Sequence, residues 1–70
     1  MFQYSMICTK VEIEGVEYDT YGITGNGVTI EDISTEKSVI ESFVNLINKT
    51  GDVDPIHIAD LVENLLVALS

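Results

Sequence analysis

The chain changes its period at Ser34. Residues 4–33 are rich in Val, Ile, Thr and Tyr and are punctuated by glycine, whereas from residue 34 apolar residues return at steps of three and four. A period of two suits strands and a period near 3.6 suits helices. Strands followed by helices imply an α+β fold and argue against an alternating α/β sheet. The order read is βββαα: a three-stranded antiparallel meander followed by two helices packed on one face of the sheet. Strand one reads as residues 4–13, strand two as 16–24 and strand three as 28–33. Glu14 and Gly15 join the first pair, with glycine available for a positive φ. Gly25 and Asn26, which both tolerate positive φ, join the second. Without repeats, linkers or low-complexity runs, residues 1–70 read as a single domain.

The helices carry their own boundary signals. Ser34 reads as the N-cap of helix one, with Glu36 in its first turn where the helix dipole favours an anion. Val39, Ile40, Phe43, Val44 and Ile47 form its stripe, with Leu46 at the margin. Lys49 falls in its last turn and Gly51 follows as the cap. Helix two starts with Asp54 as N-cap and Pro55 at the first helical position. Ile58, Leu61, Val62, Leu65, Leu66 and Leu69 cover close to half its circumference, flanked by Ala59 and Ala68. That arc is wider than one small sheet needs, and Val67 lies outside it.

Size and charge narrow the function classes. A chain of 70 residues buries only about 60% of its unfolded surface, so a partner subunit is a common source of added stability. Cys8 is the only cysteine, which excludes an internal disulfide and fits a reducing, cytoplasmic setting. Twelve acidic residues stand against Lys10, Lys37 and Lys49, for a net charge of −9. Nucleic-acid and acidic-membrane binding both need clustered cations and are disfavoured. A basic protein partner is compatible with this charge. The opening MFQYSMICTK lacks a basic start followed by an apolar run, so it does not read as a signal peptide. No apolar stretch approaches the ~20 residues of a membrane span.

Residues 22–27, GITGNG, are the only hint of a phosphate-cradling loop. The order is wrong for G-x-G-x-x-G, and the Lys-Ser/Thr ending of a P-loop is missing. A strand follows where a phosphate site needs a helix N-terminus. The stretch reads as a turn. Register through the two turns sets Ile13 opposite Val16, Val11 opposite Tyr18, Lys10 opposite Asp19 and Cys8 opposite Tyr21. It sets Ile23 opposite Val28 and Tyr21 opposite Ile30. One face then carries Ile7, Val11, Ile13, Val16, Tyr18 and Ile33. The other carries Tyr4, Met6, Cys8, Tyr21, Ile23, Val28 and Ile30. Two explanations stand for a sheet apolar on both sides. A β-bulge near Asp19 and Thr20 would reset the parity and remove an unfavourable Asp19–Asp32 pair. Alternatively, a second subunit covers the face the helices leave open, as the wide stripe of helix two also suggests. The expected interface set is Tyr4, Met6, Tyr21, Ile23, Val28, Ile30 and Val67.

Candidate chemistry is sparse. Asp52, Asp54, His57 and Asp60 are the strongest metal candidates, since carboxylates and imidazole suit a transition metal. Their spacing matches no strong motif, and the plainer reading makes Asp54 a cap and Asp60 a solvated residue. No cofactor is implied. His57, Asp60 and Asn64 share a polar stripe without any nucleophile tied to them. Cys8, with no nearby cation, reads as a small packed hydrophobe. Glu12 and Glu17 read as a solvated hairpin tip that blunts edge pairing.

Tyr21-Gly22-Ile23, Ile30-Glu31-Asp32-Ile33-Ser34, Asn48, Asp54-Pro55-Ile56-His57-Ile58 and Asp60-Leu61-Val62-Glu63-Asn64 together resemble a family of small bacterial proteins. Its members carry YGI…I-x-DIS…N…P-x-H-hydrophobic…DVIED over almost their whole length. The chain departs at Leu61, Val62 and Asn64. The family has no established activity, so the resemblance implies one complete domain and adds no mechanism. It does point to Asp32, Ser34, His57 and Asp60 as a polar network joining sheet and helices.

The function expected from all of this is a small, non-catalytic, cytoplasmic protein-interaction or regulatory module that forms a homodimer or binds another protein. The alternatives are an acidic decoy that occupies a basic site on a nucleic-acid-binding protein, and a small metal-binding protein.

Overall fold

Two tight reversals build the sheet. The computed structural model describes residues 1–69. Strands β1 (Ser5–Ile13), β2 (Val16–Gly25) and β3 (Val28–Ser34) pair antiparallel in the order β1-β2-β3. Helix α1 (Lys37–Thr50) follows, then a 3₁₀ turn (Pro55–His57) that runs into α2 (Ile58–Leu69). The α+β, βββαα reading therefore holds.

The first reversal is the expected one. Glu14 and Gly15 both take left-handed φ values, 53° and 80°, which matches a two-residue hairpin loop to the twist of its strands. The β1–β2 register agrees at every pair read from the sequence, Ile13 with Val16 through Cys8 with Tyr21. The second reversal falls one residue later than expected, on Asn26 (φ 54°) and Gly27 (φ 84°). Gly25 then closes the hairpin against Val28, and Ile23 faces Ile30 instead of Val28.

The parity reset is real but lies on the other strand. Between the Ile23–Ile30 and Tyr21–Ser34 pairs, β2 contributes only Gly22 while β3 contributes Glu31, Asp32 and Ile33. The bulge is thus in β3, not near Asp19 and Thr20. Asp32, at φ 55°, turns the chain there, a conformation that aspartate accepts more readily than most residues. Gly22 makes room for it. A Cβ on Gly22 would overlap the Ile30 carbonyl oxygen and stand 2.9 Å from Glu31 Cα. Its role is space, not backbone freedom.

Both helices lie on the face of Tyr4, Met6, Tyr21, Ile23, Val28 and Ile30. Tyr4, Ile23, Ile33, Ile40, Val44, Ile47, Ile58 and Val62 form the buried core. Met6, Tyr21, Val28, Ile30, Val39, Phe43, Leu61 and Leu65 pack around it. The stripe of α1 is as read, and Gly51 ends the helix at φ 69°. Its start differs: Ser34 closes β3 and accepts a bond from Glu36 N at 3.0 Å, while Glu36 holds the cap position without a side-chain bond. Asp54 caps as expected, its Oδ1 accepting from Ile56 N at 3.1 Å.

Asn48 joins the two layers. Its Oδ1 accepts from Tyr4 N and its Nδ2 donates to Tyr4 O, both at 2.8 Å. This side chain stands in for a neighbouring strand at the free edge of β1. The Tyr4 hydroxyl donates to Val53 O at 2.6 Å, and Phe2 N donates to Gly51 O at 2.9 Å. The N-terminal segment is thereby tied to the loop between the helices.

Candidate interaction surface

β3 stops pairing at the Tyr21–Ser34 step. Beyond it, residues 9–13 of β1 and 16–20 of β2 continue as a two-stranded arm. Directly opposed residues share a face, so the arm is amphipathic. Val11, Ile13, Val16 and Tyr18 stand on one side, and Lys10, Glu12, Glu17 and Asp19 on the other. The helices do not cover the apolar side: Ile13 is 59%, Val16 51% and Tyr18 46% exposed. An open groove of about 410 Å³ runs along it, lined by Val11, Ile13, Tyr18, Thr20, Asp32 and Thr35. Thr20 is buried and links the arm's two strands at its root, donating to Thr9 O at 3.2 Å.

A second groove lies between the helices. Val39, Phe43, Leu46 and Leu65 line it with Ser38 and Ser42. Leu46 is 65% exposed, and Leu66, Val67 and Leu69 are exposed on α2. The surplus width of the α2 stripe read from the sequence is therefore an exposed apolar surface.

The expected interface residues divide. Tyr4 and Ile23 are core, and Met6, Tyr21, Val28 and Ile30 pack against it, so these six face the protein's own helices. Val67 alone of that set is exposed. The exposed sheet surface is the opposite face, Val11, Ile13, Val16 and Tyr18. Its signal was already in the hairpin, where apolar residues alternate with Lys10, Glu12, Glu17 and Asp19.

The polar expectations change as well. Among the described residues no hydrogen bond joins Asp32, Ser34, His57 and Asp60: Ser34 serves the turn into α1, Asp32 forms the bulge, and His57 and Asp60 are exposed. Asp52, Asp54, His57 and Asp60 do not converge, and no group of three or more His, Cys, Asp or Glu among the described residues is placed to hold a metal. Cys8, read as packed, is exposed. No helix among the described residues is long and apolar enough to cross a membrane.

Comparison with protein-family models, curated proteins and solved structures returns no match.

Proposed function

We propose that the chain is a non-catalytic protein-interaction module of the cytoplasm that works as a homodimer. The carrying observation is where its large exposed apolar residues lie. Ile13, Val16 and Tyr18 gather on the arm, and Leu46, Leu66, Val67 and Leu69 on the helices. In a chain of 70 residues with net charge −9, two exposed apolar surfaces on different elements are better explained by protein contacts than by solvent. The helix-side groove suits a second copy. Its lining carries no charge, so two acidic chains meet there without opposing carboxylates at the centre.

Sedimentation at several concentrations tests this reading. A dimer populated by about 100 μM is expected, since association depends on protomer concentration. Leu46→Glu, which sets a charge in the groove, shifts the profile to monomer without loss of helical signal. A wild-type chain that stays monomeric over that range refutes the dimer.

A further inference from the structure

The arm calls for a different occupant. We propose that the free edge of β2, residues 16–20, takes an extended basic segment of a partner protein as an added strand. Three observations lead there, and the inference rests on the reading of the chain as an interaction module.

The first is an unpaired edge. β3 leaves β2 at Tyr21, and β1 occupies the other side of residues 16–20. A two-residue loop makes Ile13 and Val16 a hydrogen-bonded pair. Strict alternation along the ladder then turns the N–H and C=O groups of Glu17 and Asp19 outward. Those groups form a ready template for a new strand. The outer edge of β1 is guarded differently: Lys10 sits on the arm there, and Asn48 holds Tyr4. Residues 16–20 contain neither lysine nor proline.

The second observation is two-sided chemistry. A strand laid against this edge has one row of side chains beside Val16, Tyr18 and the groove, and the other beside Glu17 and Asp19. Its fitting pattern is alternation of apolar and cationic residues.

Charge is the third. From residue 11 to residue 36 the chain carries Glu12, Glu14, Glu17, Asp19, Glu31, Asp32 and Glu36 and no lysine or arginine. Asp32 itself lines the groove. A second copy fits poorly. Isologous antiparallel pairing centred on Tyr18 sets Glu17 directly opposite Asp19 of that copy, and like charges directly opposed destabilise a sheet. A basic strand turns both into attractive pairs.

Titration of the labelled full chain with three synthetic peptides tests the proposal by NMR. One alternates Lys with Val and Ile, one has the same composition in blocks, and one replaces Lys by Glu. The alternating peptide is expected to saturate, to shift the amides of Glu17, Tyr18 and Asp19, and to slow hydrogen exchange at Glu17 and Asp19, whose N–H groups face the open edge. Its affinity falls about tenfold or more from about 50 to about 500 mM salt, because the ion pairs are exposed to screening. Glu17→Lys with Asp19→Lys lowers its binding about tenfold or more while helix-side self-association persists. Tyr18→Thr, which keeps strand propensity, weakens binding without unfolding the arm. Equal binding of the blocked peptide, or shifts spread over the helices, overturns the proposal. So does self-association that is lost on Tyr18→Thr without peptide binding, which assigns the arm to a second copy and leaves the module reading intact. No peptide binding and no self-association refute both.

Discussion

Asn48→Ala isolates the contact that fastens helix to sheet. Asn48 is half-buried on α1 and makes two 2.8 Å bonds to the backbone of Tyr4, a residue only 4% exposed. Each bond contributes about 1 kcal/mol net, so their loss removes about 2 kcal/mol. The Tyr4 N–H and C=O are then left at a partly buried edge, which adds about 1–2 kcal/mol where water reaches them imperfectly. Alanine recovers about 0.6 kcal/mol as the better helix former. The expected net loss is about 2.5–3.5 kcal/mol. Against a total stability of about 4–10 kcal/mol for a chain of this size, that is a large share. In a domain this small it lowers Tm by roughly 10–28 °C. Urea unfolding followed by circular dichroism measures it, with the midpoint falling and the slope unchanged. Asn48→Asp sharpens the test. It keeps an acceptor for Tyr4 N–H but sets a carboxylate oxygen against the Tyr4 carbonyl, so it is expected to cost at least as much. A loss below about 1 kcal/mol for alanine, or tolerance of aspartate, refutes the clamp.

Two smaller perturbations test other joints of the fold. Gly22→Ala drives a methyl into the Ile30 carbonyl and to within 2.9 Å of Glu31 Cα; backbone cannot yield as a side chain does, so a loss of about 3 kcal/mol or more is expected, and a variant with wild-type Tm would sink the bulge geometry. Asp54→Ala removes the 3.1 Å bond to Ile56 N and is expected to cost about 1 kcal/mol, read as a Tm drop of roughly 4–8 °C with the sheet signal retained.

Local chemistry was legible in the sequence wherever one dipeptide or one period decided the outcome. Glu14 with Gly15 fixed a hairpin whose full register follows from the loop, and Asp54 with Pro55 and Gly51 marked helix ends that the structure keeps. The second turn was ambiguous because Gly25-Asn26 and Asn26-Gly27 both tolerate positive φ, and a shift of one residue moves every later pair. The like-charge pair of Asp19 with Asp32 points to a bulge near Asp19 and Thr20, yet a bulge on either strand relieves it. What places it on β3 is the contact of Gly22 with Ile30 and Glu31, a tertiary approach that no local pattern encodes. The helix-covered face followed from the same point. With both faces apolar, periodicity could not choose between Tyr4, Met6, Tyr21, Ile23, Val28 and Ile30 on one side and Val11, Ile13, Val16 and Tyr18 on the other. Asn48 stands out in the sequence only through the family resemblance, because its partner is backbone 44 residues away and no local pattern marks it.

The candidate surface and the fold's irregularity have one cause. Were β3 to continue in register past Ile30, it would set Asp32 opposite Tyr21, pair with β2 along residues 16–20 and bring Glu36 opposite Glu17. The bulge over Gly22 instead uses three residues of β3 against one of β2. That brings Ser34 opposite Tyr21, and the chain departs into α1. The arm is left with an open edge and an uncovered face. Its apolar pairs, Val11 with Tyr18 and Ile13 with Val16, hold a two-stranded ribbon that alone would be marginal in water. Thr20, buried at the arm's root, ties its two strands together there by donating to Thr9 O. Acidic residues on the opposite side keep the ribbon from pairing with its own copies, as charged edges do in stable sheets. In the proposed strand addition the same carboxylates would receive the cations of a basic segment, so protection against self-pairing and choice of partner would come from one set of side chains.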